Sequence, residues 1–255
     1  MEAKGSNIQR TGKDWIFLSD AHFTAENRDD QDRLIRFLEM ERENLNTLVL
    51  LGDLFEFWFG FEGYIYKEYL PILEQLKSLS HGGVRIKYVE GNHDFCLGSF
   101  FEEDLGAEVY ADEMEETLDG KRIYVAHGDR VNPRDYGYRL FRRVVKNRLS
   151  YTLIRLGGPG LSMKIAKQLS ARSRQKNHEQ LPGHIAIFRT FAMDKFREGI
   201  DIVILGHSHH PEEMVERIDG REKAYFNVGD WMSFCSYLRY NRESGFELCY
   251  HKDQR

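Results

Sequence analysis

Five apolar segments of this chain each run into side chains that carry oxygen or imidazole, and that recurrence restricts the fold more than any other feature. Trp15 to Leu18 leads into Ser19-Asp20-Ala21-His22, and Leu48 to Leu51 into Gly52-Asp53. Val84 to Val89 leads towards Gly91-Asn92-His93-Asp94, Ile123 to Ala126 into His127-Gly128-Asp129, and Ile202 to Leu205 into Gly206-His207-Ser208-His209. Short apolar runs bounded by glycine are the pattern of buried strands. Helical periodicity lies between the first three, over Asp32 to Glu43 (Leu34, Ile35, Leu38) and over Tyr64 to Leu79. Strand–helix alternation predicts a sheet covered by helices, and such sheets collect ligands beyond the carboxyl ends of their strands. One polar strand ending is a turn. Five together define a site, because buried polar groups are costly unless something satisfies them.

The donors specify the chemistry. Asp20, His22, Asp53, Asn92, His127, His207 and His209 offer oxygen and imidazole but no thiolate, a set suited to manganese, with iron or zinc as alternatives. Seven donors are too many for one catalytic ion with an open position. If one carboxylate is shared, they divide into two sets of four, the arrangement of a two-metal clamp for displacement at phosphorus. In a strand-like Asp20-x-His22 or His207-x-His209, both side chains point the same way.

After Glu108 the rhythm changes to short strands, with helices broken at Gly157-Gly158-Pro159-Gly160, a helix near Ile185 to Arg197, and antiparallel strands from Met214 to Tyr250 turning at Asp219-Gly220 and Ser244-Gly245. No internal repeat or linker divides the 255 residues, which predicts one domain, 1–255, with a helical insertion over about 135–182. Between Tyr136 and His178 there are eleven Lys or Arg and no Asp or Glu, although the whole chain carries −5. A basic island on an acidic body points to an anionic partner. Within it Leu140, Phe141, Val144, Val145 and Leu149 form an apolar stripe, with Arg139, Arg142, Arg143 and Lys146 in the intervening positions. That is the pattern of a helix lying transiently on an anionic membrane surface; nucleic acid is the lesser alternative, and no obligate protein partner is implied. Three unpaired cysteines, a polar start and the lack of a long apolar run predict a cytoplasmic protein, free or peripheral on the inner face of the cell membrane.

Asp20-x-His22, Gly52-Asp53, Gly91-Asn92-His93-Asp94, His127 and Gly206-His207-x-His209 resemble the motifs of the calcineurin-like metallophosphoesterases. The resemblance implies a four-layer α/β/β/α sandwich with two divalent metal ions. Asp20, His22, Asp53 and His209 would hold one metal, and Asp53, Asn92, His127 and His207 the other. His93 would act on the leaving oxygen, oriented by Asp94. Within that superfamily, "GDLFEFWFG", "FCLG" after the Asn-His-Asp motif and the basic insertion are similar to the UDP-2,3-diacylglucosamine pyrophosphatases of lipid A synthesis. That likeness implies a lipid-linked nucleotide-sugar substrate, attacked at its α-phosphorus to give UMP and an acylated sugar 1-phosphate. Asn92, His93, Asp135, Tyr138, Ser173, Asn177 and His207 would touch it. Two positions depart from this pattern: His93, where arginine is usual, and Gln180, where lysine is usual. A general phosphomonoesterase, phosphodiesterase or nuclease would share every metal ligand. A non-catalytic scaffold of the same fold is the remote alternative. The aromatic run Phe55 to Phe61 fits either an acyl-chain tunnel or plain core.

Overall fold

The computed structural model describes residues 13–177 and 181–252. Strands β1 (Asp14–Leu18), β2 (Leu45–Leu50), β3 (Arg85–Val89) and β4 (Glu108–Tyr110) lie parallel and side by side, in a six-stranded sheet closed by β10 (Ser236–Asn241) and β11 (Gly245–Tyr250). A second sheet has the order β5 (Glu113–Leu118), β6 (Lys121–Ala126), β7 (Ile202–Leu205), β9 (Arg221–Asn227), β8 (Glu212–Ile218). In it β6, β7 and β9 are parallel.

The two-residue period of the strands builds the layers. Trp15 and Phe17 of β1, Val49 of β2 and neighbouring Leu51 pack against Ile123 and Val125 of β6 and Ile202 and Ile204 of β7, forming the core between the sheets. The alternate residues, Ile16, Leu18, Leu48 and Leu50, pack against helices α1 (Arg28–Glu41) and α2 (Leu70–His81). On the far side Tyr124, Ala126, Val203 and Leu205 pack against Phe188, Ala192 and Phe196 of α5 (Leu181–Arg197). Helix, sheet, sheet and helix are therefore stacked in that order, the expected four-layer sandwich. Burial of each large apolar side chain contributes about 1.5–3 kcal/mol.

Helix boundaries differ from the periodicity in ways local chemistry explains. α1 begins at Arg28, with Asp29 and Asp30 in the dipole-favoured first turn and the Asn27 side chain turned back to accept from the Thr24 amide at 2.8 Å. α2 begins at Leu70, where Pro71 can join only a first turn. The tail strands divide: β8 and β9 form a hairpin in the second sheet, β10 and β11 a hairpin in the first.

The insertion supplies α3 (Tyr136–Val145) and α4 (Arg148–Asn177), with α4 broken at Gly158 (φ 72°, ψ 172°) beside Pro159, as the sequence predicts. Its orientation corrects one expectation. Arg142 and Lys146 do not face outward with Arg139 and Arg143. They turn inward onto Asp129 and Glu90, at 2.7 and 3.0 Å. Leu140, Val144, Leu149, Leu153 and Leu156 are left exposed. The aromatic run is mostly core: Phe55 and Trp58 are buried against Tyr69 and Phe101, while Phe59 and Phe95 meet Tyr151 of α4.

Candidate active site

All five polar strand endings meet at one edge of the sandwich, and their backbone is bent to do it. Asp20, His22, Asp53, His207 and His209 each sit at φ between 43° and 65°, a region that costs non-glycine residues energy unless the surroundings hold them there. The holding bonds are local: the Asp20 amide donates to Gly52 O (3.2 Å), the His22 amide to Asp53 O (3.0 Å), and the His207 amide to Asp20 Oδ2 (2.8 Å). Gly91 is required by proximity. A Cβ there would overlap the Asp53 carboxylate and lie 2.7 Å from its amide nitrogen.

The donors form two half-sites around one oxygen. In the first, His22 Nε2 is 3.7 Å from Asp20 Oδ1 and 3.7 Å from Asp53 Oδ2, and His209 Nε2 is 3.5 Å from Asp20 Oδ1. In the second, His127 Nε2 is 3.4 Å from the same Asp53 Oδ2, 3.0 Å from Asn92 Oδ1 and 3.1 Å from His207 Nδ1. Asp53 Oδ1 is occupied elsewhere, accepting from the Asn92 and His93 amides at 2.9 Å each. Only Oδ2 is turned to both halves.

Cations fit this donor set. Asp20 Oδ1 and both ring nitrogens of His22 are buried without a hydrogen-bond partner, which soluble folds rarely tolerate unless an ion or solvent completes the site. The proton affinities agree. Burial opposes the charge on His22, but Asp20 and Glu56 overcome it and push the ring up to about 10. Burial likewise opposes His127, and Asp53 pushes it up to about 10. Burial lifts Asp53, yet His127 and His93 hold it well below the carboxylate range. His207 goes down to about 4, through burial and the neighbouring His127. The carboxylates thus draw positive charge onto the imidazoles, and a divalent ion would displace those protons.

Two partners that the sequence reading missed orient the imidazoles. Glu56 Oε2 lies 3.6 Å behind His22 Nδ1, and Asp230 Oδ2 lies 3.4 Å behind His209 Nδ1; both carboxylates are buried. Backing carboxylates of this kind fix the ring and raise its basicity as a ligand. A lone acid among the aromatics of Phe55 to Phe61 was the available signal for Glu56. His127 Nδ1 is held by Leu51 O at 2.6 Å. Asn227, the last residue of β9, donates from Nδ2 to Gly206 O at 2.9 Å.

Asp94 does not orient His93. The His93 Nδ1 partner is the Glu56 carbonyl, at 2.8 Å. Asp94 points away from that ring, accepting from the amides of Asp53 (2.9 Å), Leu54 (2.8 Å) and Gly91 (3.0 Å) and from Tyr88 Oη (2.6 Å). Burial and the Asp53 charge push its carboxyl up to about 7. It staples the Gly52-Asp53 loop to the Gly91-Asn92 loop. Asp94→Ala leaves three buried donors, the Asp53 and Leu54 amides and the Tyr88 hydroxyl, without this acceptor, while the Gly91 amide keeps the residue 94 carbonyl at 3.1 Å, so an unfolding loss of at least about 3 kcal/mol is expected by urea titration in chelator. A loss under about 1 kcal/mol would refute the staple.

Asp135 is exposed at the start of α3, where its carbonyl accepts from the Arg139 amide. The side chains of Tyr138, Ser173 and Asn177, and Gln180 altogether, lie outside the described residues.

The model of the calcineurin-like phosphoesterase family matches residues 16–211, a span that holds every one of these donors. The chain belongs to the calcineurin-like phosphoesterases. As a member it is a metal-dependent hydrolase. This phosphoesterase is 31% identical over 227 residues to a UDP-2,3-diacylglucosamine hydrolase of Aeromonas salmonicida, covering 88% of each chain. It is 30% identical over 217 residues to the protein of that name from Pseudomonas aeruginosa strain UCBPP-PA14 (85% of this chain, 90% of the relative). With the Vibrio cholerae O395 protein of that name it shares 29% over 239 residues, 91% of this chain and 95% of the relative.

Proposed function

We propose that this phosphoesterase hydrolyses the pyrophosphate of UDP-2,3-diacylglucosamine, or of a closely similar lipid-linked nucleotide, to UMP and the acylated sugar 1-phosphate. The observation that carries the reading is coverage: the relatives bearing that activity in their name align over 85–91% of this chain. The likeness therefore extends beyond the metal motifs shared by all phosphoesterases.

In this reading Asp20, His22, Asp53 and His209 would hold one divalent ion, and Asp53, Asn92, His127 and His207 the other, Asp53 being common to both sets. Manganese suits the donors. The ions would polarise the phosphoryl oxygens and lower the pKa of coordinated water. His93 then has a defined proton. Its Nδ1–H donates to the Glu56 carbonyl, so the proton that comes and goes is on Nε2, 4.0 Å from Asp53 Oδ2. Burial lowers this ring's pKa; an anionic pyrophosphate raises it again and equips Nε2–H to protonate the leaving oxygen. Glu56 serves both imidazoles, His22 through its carboxylate and His93 through its carbonyl.

The insertion would meet the acylated end of the substrate. Its exposed Leu140, Val144, Leu149, Leu153 and Leu156, flanked by Arg139 and Arg143, form an apolar and cationic face suited to an anionic bilayer. No helix of the described residues is long and apolar enough to cross a membrane. The whole chain is read as one domain carrying this insertion.

The test is a panel assay in Mn²⁺ with UDP-2,3-diacylglucosamine, a simple phosphomonoester, a cyclic nucleotide and single-stranded RNA. The expected result is the highest kcat/KM on the acylated nucleotide, with UMP as product. Preferred RNA cleavage that collapses with added salt would instead establish a nuclease.

A further inference from the structure

Helix α3 meets the body of the protein through cations set on carboxylates from three separate segments. Arg142 Nη1 is 2.7 Å from Asp129 Oδ2, while Nη2 contacts Asp112 and donates to Ala111 O at 3.3 Å. One turn on, Lys146 Nζ is 3.0 Å from Glu90 Oε2, donates to Ala111 O at 3.4 Å and lies 5.8 Å from the Phe95 ring centre. The pairs with Asp129 and Glu90 are not surface pairs. The Arg142 and Lys146 side chains are 12% and 14% exposed, and Asp129 and Glu90 only 5% and 7%. Desolvated pairs are poor devices for stability, since apolar residues of the same volume often do as well. What they fix is geometry, because each holds a desolvated charge at one defined place.

The two pairs fall on the same part of the site. Glu90 stands two residues before Asn92, and its Oε1 also accepts from the Leu97 amide at 3.4 Å, spanning the Gly91–Asp94 turn. Asp129 stands two residues after His127. Asn92 and His127 are themselves in contact, Oδ1 to Nε2 at 3.0 Å. Both belong to the second half-site, whose other imidazole, His207, follows β7, whereas Asp20 and His22 follow β1 and His209 follows β7.

We propose that Arg142 and Lys146 are positioning residues that latch the insertion to the ends of β3 and β6 and so set the Asn92–His127 half of the metal centre. This rests on the assignment of Asn92 and His127 to one metal and His209 to the other. Its consequence is coupling. Whatever moves α3, an acyl chain or a lipid surface on its exposed apolar side, changes the Asn92–His127 subsite more than its neighbour, which it reaches only through the shared Asp53.

The experiment is Mn²⁺ binding to the full chain by calorimetry, comparing wild type with Arg142→Met/Lys146→Met, which keeps the apolar stems and removes both charges. Asn92→Ala and His209→Ala mark which binding step belongs to which half. The expected result is about 10-fold weaker binding at the Asn92-marked step, the usual effect of losing an outer support, with the His209-marked step weakened clearly less. Turnover should fall with little change in substrate KM. The reversed pair Glu90→Lys/Lys146→Glu should restore most of what Lys146→Glu alone loses. Equal weakening of both steps, tracking a lower unfolding midpoint, would show a plain structural brace and overturn the latch, as would no change in either step. If Asn92→Ala binds both ions as wild type does, the metal assignment itself has failed, and the proposal with it.

Discussion

Asp53→Asn should reduce hydrolysis by more than the roughly 10- to 100-fold typical of an outer-shell partner and leave fewer than two metals per chain, with the fold intact. The asymmetry of the Asp53 carboxylate dictates this. Oδ1 accepts two backbone amides, from Asn92 and His93, while Oδ2 faces His22 on one side and His127 on the other. An asparagine keeps its single carbonyl oxygen where the two amides demand an acceptor. Its NH₂ group must then occupy the Oδ2 position, where a donor cannot ligate a cation. One substitution therefore removes the shared ligand and a negative charge while retaining the loop contacts. Circular dichroism matching wild type, with metal content below two by elemental analysis, is the expected pair of observations. Full activity with two bound metals would exclude Asp53 as the shared ligand.

His93→Ala should behave differently. Turnover falls by roughly 10² to 10⁴, the usual contribution of a positioned proton donor, and both metals stay. The ring is held by the Glu56 carbonyl through Nδ1 and meets the centre only through Nε2, 4.0 Å from Asp53 Oδ2 and edge-on to the His22 ring at 4.7 Å. Distance alone does not separate a ligand from a proton donor here, since His22, Asp53 and His93 are close enough to share an ion. The metal content of the variant does separate them. A protein that has lost one metal would make His93 a ligand. Because His93 is a group that titrates, the wild-type rate should also depend on an ionisation that His93→Ala abolishes.

Much of this was legible in the chain because the pattern and the chemistry coincide. Period-two apolar runs specify strands buried on both faces, and Trp15/Phe17 against Ile16/Leu18 show how one strand serves two cores. Polar residues at five strand ends identify a common edge. The missed features are those in which distant segments decide. Asp94 lies beside His93 in sequence, yet the donors that capture it come from Asp53, Leu54, Gly91 and Tyr88, so adjacency misassigned its partner. Glu56 and Asp230 act on histidines 34 and 21 residues away, through contacts no local spacing encodes. In α3 the periodicity reveals an apolar and a cationic side without revealing which is outside. Carboxylates from Glu90, Asp112 and Asp129 draw Arg142 and Lys146 inward and leave the leucines outside.

The strand-end cluster is read as a two-metal hydrolytic centre. A stoichiometric titration addresses it most directly: metal-free protein is loaded stepwise with Mn²⁺ while bound metal and hydrolysis of UDP-2,3-diacylglucosamine are followed together. Saturation at two ions per chain is expected, with hydrolysis rising as the second binds. Full hydrolysis at one ion per chain, or hydrolysis undiminished in excess chelator, would contradict it.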